Sequence, residues 1–178
     1  NGLEPGQGPV AVTGASGGVG CIAIDMLSRR GYEVVAFSRK PEAAALLKSL
    51  GASEVRALET SGRPLEPERW AGGIDNVGGE VLSTLLRGTR SWGGVAAVGL
   101  AGGAELSVSL MPFLLRGVNL LGVNSAATRR DKRELPEKMF GVFDHVVHTP
   151  HNRLMSGFDE VFSAPHSRHT TVDAQDVA

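Results

Sequence analysis

The stretch Val10-Ala11-Val12-Thr13-Gly14-Ala15-Ser16-Gly17-Gly18-Val19-Gly20 has the composition of an anion-binding turn. A short β-branched run enters a glycine-dense turn, and Cys21 to Arg30 then reads as a helix. Glycines let the backbone turn sharply and come close to a pyrophosphate. A helix that follows directs its free N–H groups and positive dipole end at the anion. A lone glycine pattern is weak, but here strand, turn, helix and second strand come in the order a dinucleotide site requires.

A second group of residues bears on which dinucleotide. In NAD-binding sheets an acidic side chain at the end of the second strand bonds the adenosine ribose hydroxyls. The second strand, Glu33 to Phe37, is followed instead by Ser38-Arg39-Lys40. A hydroxyl and two cations suit a 2′-phosphate, through charge-assisted hydrogen bonds of about 1.5–3 kcal/mol each. The expectation is NADP(H) over NAD(H); the plainer alternative is a solvated basic turn.

Other chemistry-bearing residues point to less. His145, His148 and His151 recur every three residues, with His166 and His169 beyond. Pro150 interrupts any helix that would align them, no cysteine is near, and no His-Glu-x-x-His pattern occurs, so no metal site is assigned. Arg129, Arg130, Lys132 and Arg133 alternate with Asp131, Glu134 and Glu137, which reads as a solvated charged helix rather than a nucleic-acid patch. Trp70 and Trp92 are expected to be packing residues. Asp75 lies near the end of a strand without a base or nucleophile beside it, and is expected to accept hydrogen bonds from the loops there. Cys21 stands alone, which excludes an internal disulfide framework. A helix N-terminus lowers a thiol pKa, whereas burial as a small packing residue is the commoner fate of a free cysteine.

Positioning these groups requires an alternation of strands and helices. Strands are predicted at Val10–Thr13, Glu33–Phe37, Ser53–Ala57, Gly73–Val77, Gly94–Gly99 and Val118–Val123. Helices are predicted at Cys21–Arg30, Glu42–Leu50 (opened by Pro41), Glu80–Arg87 and around Pro112–Arg116, with little or no helix between the third and fourth strands. This is an α/β fold, a doubly wound parallel six-stranded Rossmann sheet in the order 3-2-1-4-5-6, followed by an irregular C-terminal tail. The expected division is 1–128 for the NADP(H)-binding domain and 129–178 for a charged, histidine-containing tail, partly helical or disordered. The 178 residues suffice for one sizeable core. A net charge of -1 gives no footprint for nucleic acid or an anionic membrane, and no apolar run approaches membrane-spanning length. One cysteine fits a reducing, cytoplasmic setting. The chain opens Asn1-Gly2-Leu3-Glu4-Pro5-Gly6-Gln7-Gly8, a loop-like start that suggests a piece of a longer polypeptide.

Thr13-Gly14-Ala15-Ser16-Gly17-Gly18-Val19-Gly20 also satisfies the Thr-Gly-x-x-x-Gly-x-Gly motif of short-chain dehydrogenases. Those enzymes use a tyrosine acid with a lysine four residues later. The sole tyrosine here, Tyr32, has Ala36 at that position, so short-chain chemistry is excluded. The chain resembles instead the medium-chain dehydrogenase/reductase superfamily, in its zinc-free quinone-oxidoreductase branch, and within it the acryloyl-CoA reductase group. The likeness is carried in order by Val12–Gly20, Gly31–Ala36, Leu47–Ser53, Arg69–Gly72, Ile74–Gly78, Gly99–Gly103 and Met111–Val118. It implies that Ser16, Gly17, Gly18 and Val19 form the pyrophosphate loop and that Ser38, Arg39 and Lys40 take the 2′-phosphate. It further implies that Val77, Gly99, Leu100, Asn124 and Ser125 face the nicotinamide half. In that family NADPH reduces the β-carbon of an activated alkene, or a quinone. The family's GroES-like catalytic domain and the segment that returns to it have no counterpart here. Cofactor binding with little or no turnover is therefore expected, with no catalytic residue assigned and a small-molecule substrate chosen by the absent part. A homodimer through the sixth strand's edge is the expected assembly. The alternative is a stand-alone, non-catalytic NADP(H)-sensing module.

Overall fold

Strands buried on both faces read as unbroken apolar runs, because helices cover the two sides of a parallel sheet. Val10-Ala11-Val12-Thr13 and Val34-Val35-Ala36-Phe37 are such runs, and every residue of both is buried. They form β1 (Val10–Thr13) and β2 (Val34–Phe37) at the centre of the sheet in the computed structural model, which describes residues 2–59, 62–125, 145–146 and 161–162.

The chain divides into two compact units, Asn1–Val123 and Asn124–Ala178. In the first, β1 leads to α1 (Gly18–Arg29) and β2 to a 3-10 turn at Pro41–Ala43, then α2 (Ala44–Ser49) and β3 (Glu54–Arg56). There follow β4 (Trp70–Asp75), α3 (Gly79–Arg87), β5 (Thr89–Ala97), α4 (Met111–Arg116) and β6 (Asn119–Gly122). All neighbours pair in parallel, in the order β3-β2-β1-β4-β5-β6. This is the expected Rossmann sheet. The strand order reverses between β1 and β4, and in open α/β sheets such a reversal marks the crevice at the strands' carboxyl ends where ligands bind. In the second unit β7 (His145–Val146) pairs antiparallel with β8 (Val161–Phe162).

One face of the sheet packs on α3 through Ala11, Val35, Phe37, Trp70, Leu82, Leu85, Leu86 and Val95. The Leu85 carbonyl anchors two polar side chains there. It accepts the Trp70 indole N–H at 2.7 Å and the Thr89 hydroxyl at 2.7 Å. Satisfying these groups lets Trp70 and Thr89 be buried, and it accounts for β4 and β5 starting earlier than the sequence pattern suggests. Trp70 is the packing residue expected. Trp92 is not: it is 80% exposed, at φ +66, with its ring over Gly117, where an added Cβ would lie 2.7 Å from it. A register shift between Trp70 and Gly72 in the β4–β5 ladder accompanies this turn-out.

Between β3 and β4 the described residues contain no helix, as expected. Arg116 secures the loop instead. Its guanidinium donates to the carbonyls of Glu66 (2.6 Å), Arg87 (3.0 Å) and Thr89 (3.2 Å), and the buried Glu66 carboxylate pairs with Arg69.

Candidate cofactor site

The glycine loop turns on a hydrogen bond from the Gly17 N–H to the Gly14 carbonyl, 2.9 Å, with Gly14 at φ +57. Helix α1 begins at Gly18, three residues before the sequence reading placed it, because the later glycines build its first turn rather than precede it. Gly20 is there for contact. A Cβ on it would lie 2.5 Å from the Gly14 oxygen and 2.7 Å from the Ala15 Cα. Gly18 is there for space, since a Cβ on it meets nothing within 4 Å. The α1 N-terminus has extended Gly17 as its cap, without a side-chain cap or an acidic residue in the first turn. The N–H groups of that turn have no intrahelical acceptors and face outward with the positive dipole end. An anionic phosphate fits this cradle in charge, in hydrogen-bond sense and in steric access.

At the end of β2 the Ser38 hydroxyl lies 3.5 Å from the Ser16 hydroxyl, so the turn after β2 and the glycine loop meet. The Ser38 Oγ also accepts the Lys40 N–H at 3.1 Å, and the Arg39 and Lys40 side chains are exposed. The sequence reading missed Arg56. Its carbonyl accepts the Ser38 N–H at 3.0 Å, and its guanidinium lies 5.4 Å from the Phe37 ring centroid. It brings a guanidinium on the neighbouring strand, paired there with the Glu54 carboxylate at 3.1 Å. Only the β2–β3 register, which pairs Phe37 with Arg56, brings it there.

The loops after β4 and β5 form the other side. Gly99 and Val77 are half-buried and Leu100 is 59% exposed. Val77 is wedged between glycines: a Cβ on Gly14 would meet its Cγ2 at 3.2 Å, and one on Gly102 its Cγ1 at 2.7 Å. Gly99 is required by close approach, because a Cβ there would lie 2.4 Å from the Asn76 carbonyl oxygen. Ser16–Val19, Ser38–Lys40, Val77 and Gly99–Leu100 therefore all lie at the carboxyl ends of β1, β2, β4 and β5. Asn124 and Ser125 fall in the second unit.

The profile of the zinc-binding dehydrogenase family matches residues 18–144. The chain belongs to that family, the medium-chain dehydrogenases and reductases. Acrylyl-CoA reductase AcuI from Ruegeria pomeroyi is 50% identical over 149 residues, 76% of this chain and 45% of that protein. The chain thus spans less than half the length of this curated relative. Among solved structures, the yhdH oxidoreductase from Salmonella enterica in complex with NADP superposes with a TM-score of 0.73 at 46% identity. The overlap covers 74% of this chain and 41% of that one. The yhfP protein of Bacillus subtilis, solved with NAD bound, gives 0.72 at 47% identity, over 75% of this chain and 42% of that one. A second family profile, homoserine O-succinyltransferase, matches residues 122–178. Homoserine O-acetyltransferase from Bacillus mycoides is 61% identical over 46 residues, 26% of this chain and 15% of that protein. Residues 122–178 are therefore similar to a second family, a likeness their charged, unperiodic pattern did not disclose.

The family's name carries zinc. Among the described residues no three His, Cys, Asp or Glu side chains gather as ligands. Of the five histidines only His145 lies within the described residues, as part of β7; His148, His151, His166 and His169, like the 129–138 charge run, lie outside them. The residues described do not fit a zinc site. No helix of the described residues is long and apolar enough to cross a membrane.

Cys21 follows the glycine loop, yet its thiol is pushed up from the ordinary value, first by burial, against a smaller lowering by a backbone hydrogen bond. Its Sγ lies 3.5 Å from the Ala15 carbonyl, the acceptor for the protonated form. Desolvation outweighs that hydrogen bond, so the thiol behaves as a half-buried packing residue. Alkylation of Cys21 by iodoacetamide at pH 7.5 is expected to be slower than that of a free thiol peptide, and to accelerate on unfolding. Mass spectrometry of timed samples checks both.

Proposed function

We propose that the first unit is the NADP(H)-binding half of a medium-chain enoyl or quinone reductase. The observation that carries this reading is the meeting of Ser38 with Ser16, which joins a basic, carboxylate-free turn to an uncapped glycine-loop helix start. Ser16, Gly17, Gly18 and Val19 would hold the pyrophosphate. Ser38, Arg39 and Lys40 would hold the 2′-phosphate, with Arg56 behind them. Within the first unit, Val77, Gly99 and Leu100 would face the nicotinamide half. When bound, the cofactor supplies a hydride to the β-carbon of an activated alkene such as acryloyl-CoA, or to a quinone. This chain's residues bind and orient it.

The same reading assigns no turnover to this chain alone. Among the described residues the fully buried carboxylate at the strand ends, Asp75, has both oxygens engaged, by the Thr13 hydroxyl and the Gly78 N–H, which gives it a structural role. Residues 122–178 carry a likeness to homoserine acyltransferases where the superfamily would return to its catalytic domain. The test is calorimetric titration of the whole chain with NADPH and with NADH, beside an assay of NADPH oxidation with acryloyl-CoA. Tight NADPH binding, weaker NADH binding and no steady oxidation are expected. Binding of neither dinucleotide overturns the cofactor reading, and steady turnover overturns the assignment of incompetence.

A second copy of the chain is the partner proposed for β6. All four of its residues are exposed, Leu120 and Leu121 among them; Val123, just after it, and Leu114 and Leu115 of α4 are exposed as well. An edge strand with apolar side chains and unpaired backbone groups recruits another strand. Light scattering is expected to give a dimer, and Leu121→Lys to shift it to monomer. A monomer at high concentration would overturn this.

A further inference from the structure

The loops on the two sides of the crevice hang on one buried carboxylate. Asp75, the last residue of β4, is fully buried. Its Oδ1 accepts the Thr13 hydroxyl at 2.6 Å, and its Oδ2 accepts the Gly78 N–H at 2.7 Å. Its carbonyl oxygen accepts the N–H groups of Val98 (2.8 Å) and Gly99 (3.2 Å). The next residue doubles the link. The Asn76 N–H donates to the Thr13 hydroxyl oxygen at 3.1 Å, and the Asn76 side-chain amide donates to the Thr13 carbonyl at 2.8 Å. Thr13 ends β1 and is followed at once by Gly14, the hinge of the glycine loop. One hub therefore ties the root of that loop to the turn after β4 and to the turn after β5.

The hub is also tightly packed. A Cβ on Gly14 would lie 3.1 Å from the Asn76 Cβ, and one on Gly78 would lie 2.4 Å from the Gly103 oxygen. The spacing of the loops cannot drift without opening these contacts. A buried carboxylate needs both its oxygens satisfied, and loss of either donor leaves an acceptor desolvated and unpaired. The adenosine side is anchored elsewhere: the hydrogen bonds of Ser38 run to Ser16, Arg56 and Lys40.

We propose that Asp75 is a positioning residue which, by clamping Thr13 to Gly78, fixes the separation between the pyrophosphate loop and the backbone that faces the nicotinamide half. This rests on the NADP(H) reading above and assigns the carboxylate no proton transfer. The clamp acts on the nicotinamide side of the crevice and leaves the 2′-phosphate side alone.

The test compares two probes on the whole chain: NADPH, and adenosine 2′,5′-bisphosphate, which lacks the nicotinamide half. Asp75→Asn puts an amide donor where an acceptor is needed, and Thr13→Val removes the hydroxyl while keeping the shape. Each is expected to weaken NADPH by about tenfold, the size of one lost charged hydrogen bond, and to leave the bisphosphate unchanged. Thr13→Ser, which keeps the hydroxyl, is expected to bind NADPH as the parent does. A merely structural role would move the two probes together, and that outcome, or no change in either, overturns the proposal. If the parent chain binds neither probe, the cofactor reading falls and takes the clamp with it. If the parent binds both and the ratio stays fixed, the clamp alone falls. Should Thr13→Val not fold, hydrogen exchange in the parent chain still decides: the Gly78 amide is expected to be protected, and exchange at the rate of an open loop overturns the clamp.

Discussion

Gly20→Ala is expected to destabilise the first unit and Gly18→Ala to leave its stability intact while weakening NADPH. The two glycines stand two residues apart in one turn of α1 and should respond in opposite ways. At Gly20 the added methyl would sit 2.5 Å from the Gly14 oxygen and 2.7 Å from the Ala15 Cα, both backbone atoms of the loop that must stay in place. Overpacking of this kind costs about 1–3 kcal/mol, and backbone neighbours that cannot rotate away place it at the upper end. Alanine regains about 1 kcal/mol of helix propensity, so the net loss is about 2 kcal/mol. A melting temperature lower by roughly 4–8 °C follows for a unit of this size. At Gly18 no protein atom lies within 4 Å of the new methyl, and helix propensity favours alanine. The methyl instead stands where a pyrophosphate would approach the free N–H groups of the first turn. Calorimetry with NADPH should show an affinity loss of about tenfold or more, comparable to one charged hydrogen bond. Unchanged NADPH affinity in Gly18→Ala would place the phosphate elsewhere.

That contrast marks what the sequence disclosed and what it concealed. The loop, the strand order and the basic turn after β2 were legible because each depends on local residue types: β-branched runs, glycines before a helix, cations in place of a carboxylate. Asp75 was legible as a hydrogen-bond acceptor for the loops, and it does accept from Thr13 and Gly78. What stayed hidden was set by distant pairing. Trp92 reads as a packing aromatic, but the β5 ladder shifts register and turns it out over Gly117. Arg56 lies in the short third strand, and only the register with Phe37 carries it beside the basic turn. Cys21 illustrates competition between two local effects. Burial and a backbone hydrogen bond act on one thiol, and their balance depends on packing that no spacing rule reports.

The basic turn yields the other large effect. The double variant Arg39→Ala/Lys40→Ala should lose about 2–4 kcal/mol of NADPH binding, roughly 30- to 1,000-fold, while NADH binding stays as it was. Both side chains are exposed, so part of their attraction to a phosphate is screened, and raising the ionic strength should narrow the parent's NADPH preference as well. Arg39 should account for the larger share, since a guanidinium can hold two phosphate oxygens at once and an ammonium acts as a point charge. The Lys40 backbone N–H donates to Ser38 Oγ and survives the substitution, so the turn keeps its shape and the change reports charge alone. Relatives of similar identity were solved with NADP and with NAD, which makes the ratio of the two affinities the decisive quantity rather than either one. Ser38→Asp should move that ratio furthest, because a carboxylate at the end of β2 repels a 2′-phosphate and accepts from the ribose hydroxyls that NADH presents. A chain whose preference ignored all three substitutions would hold its dinucleotide, if any, away from the Ser16–Ser38 junction.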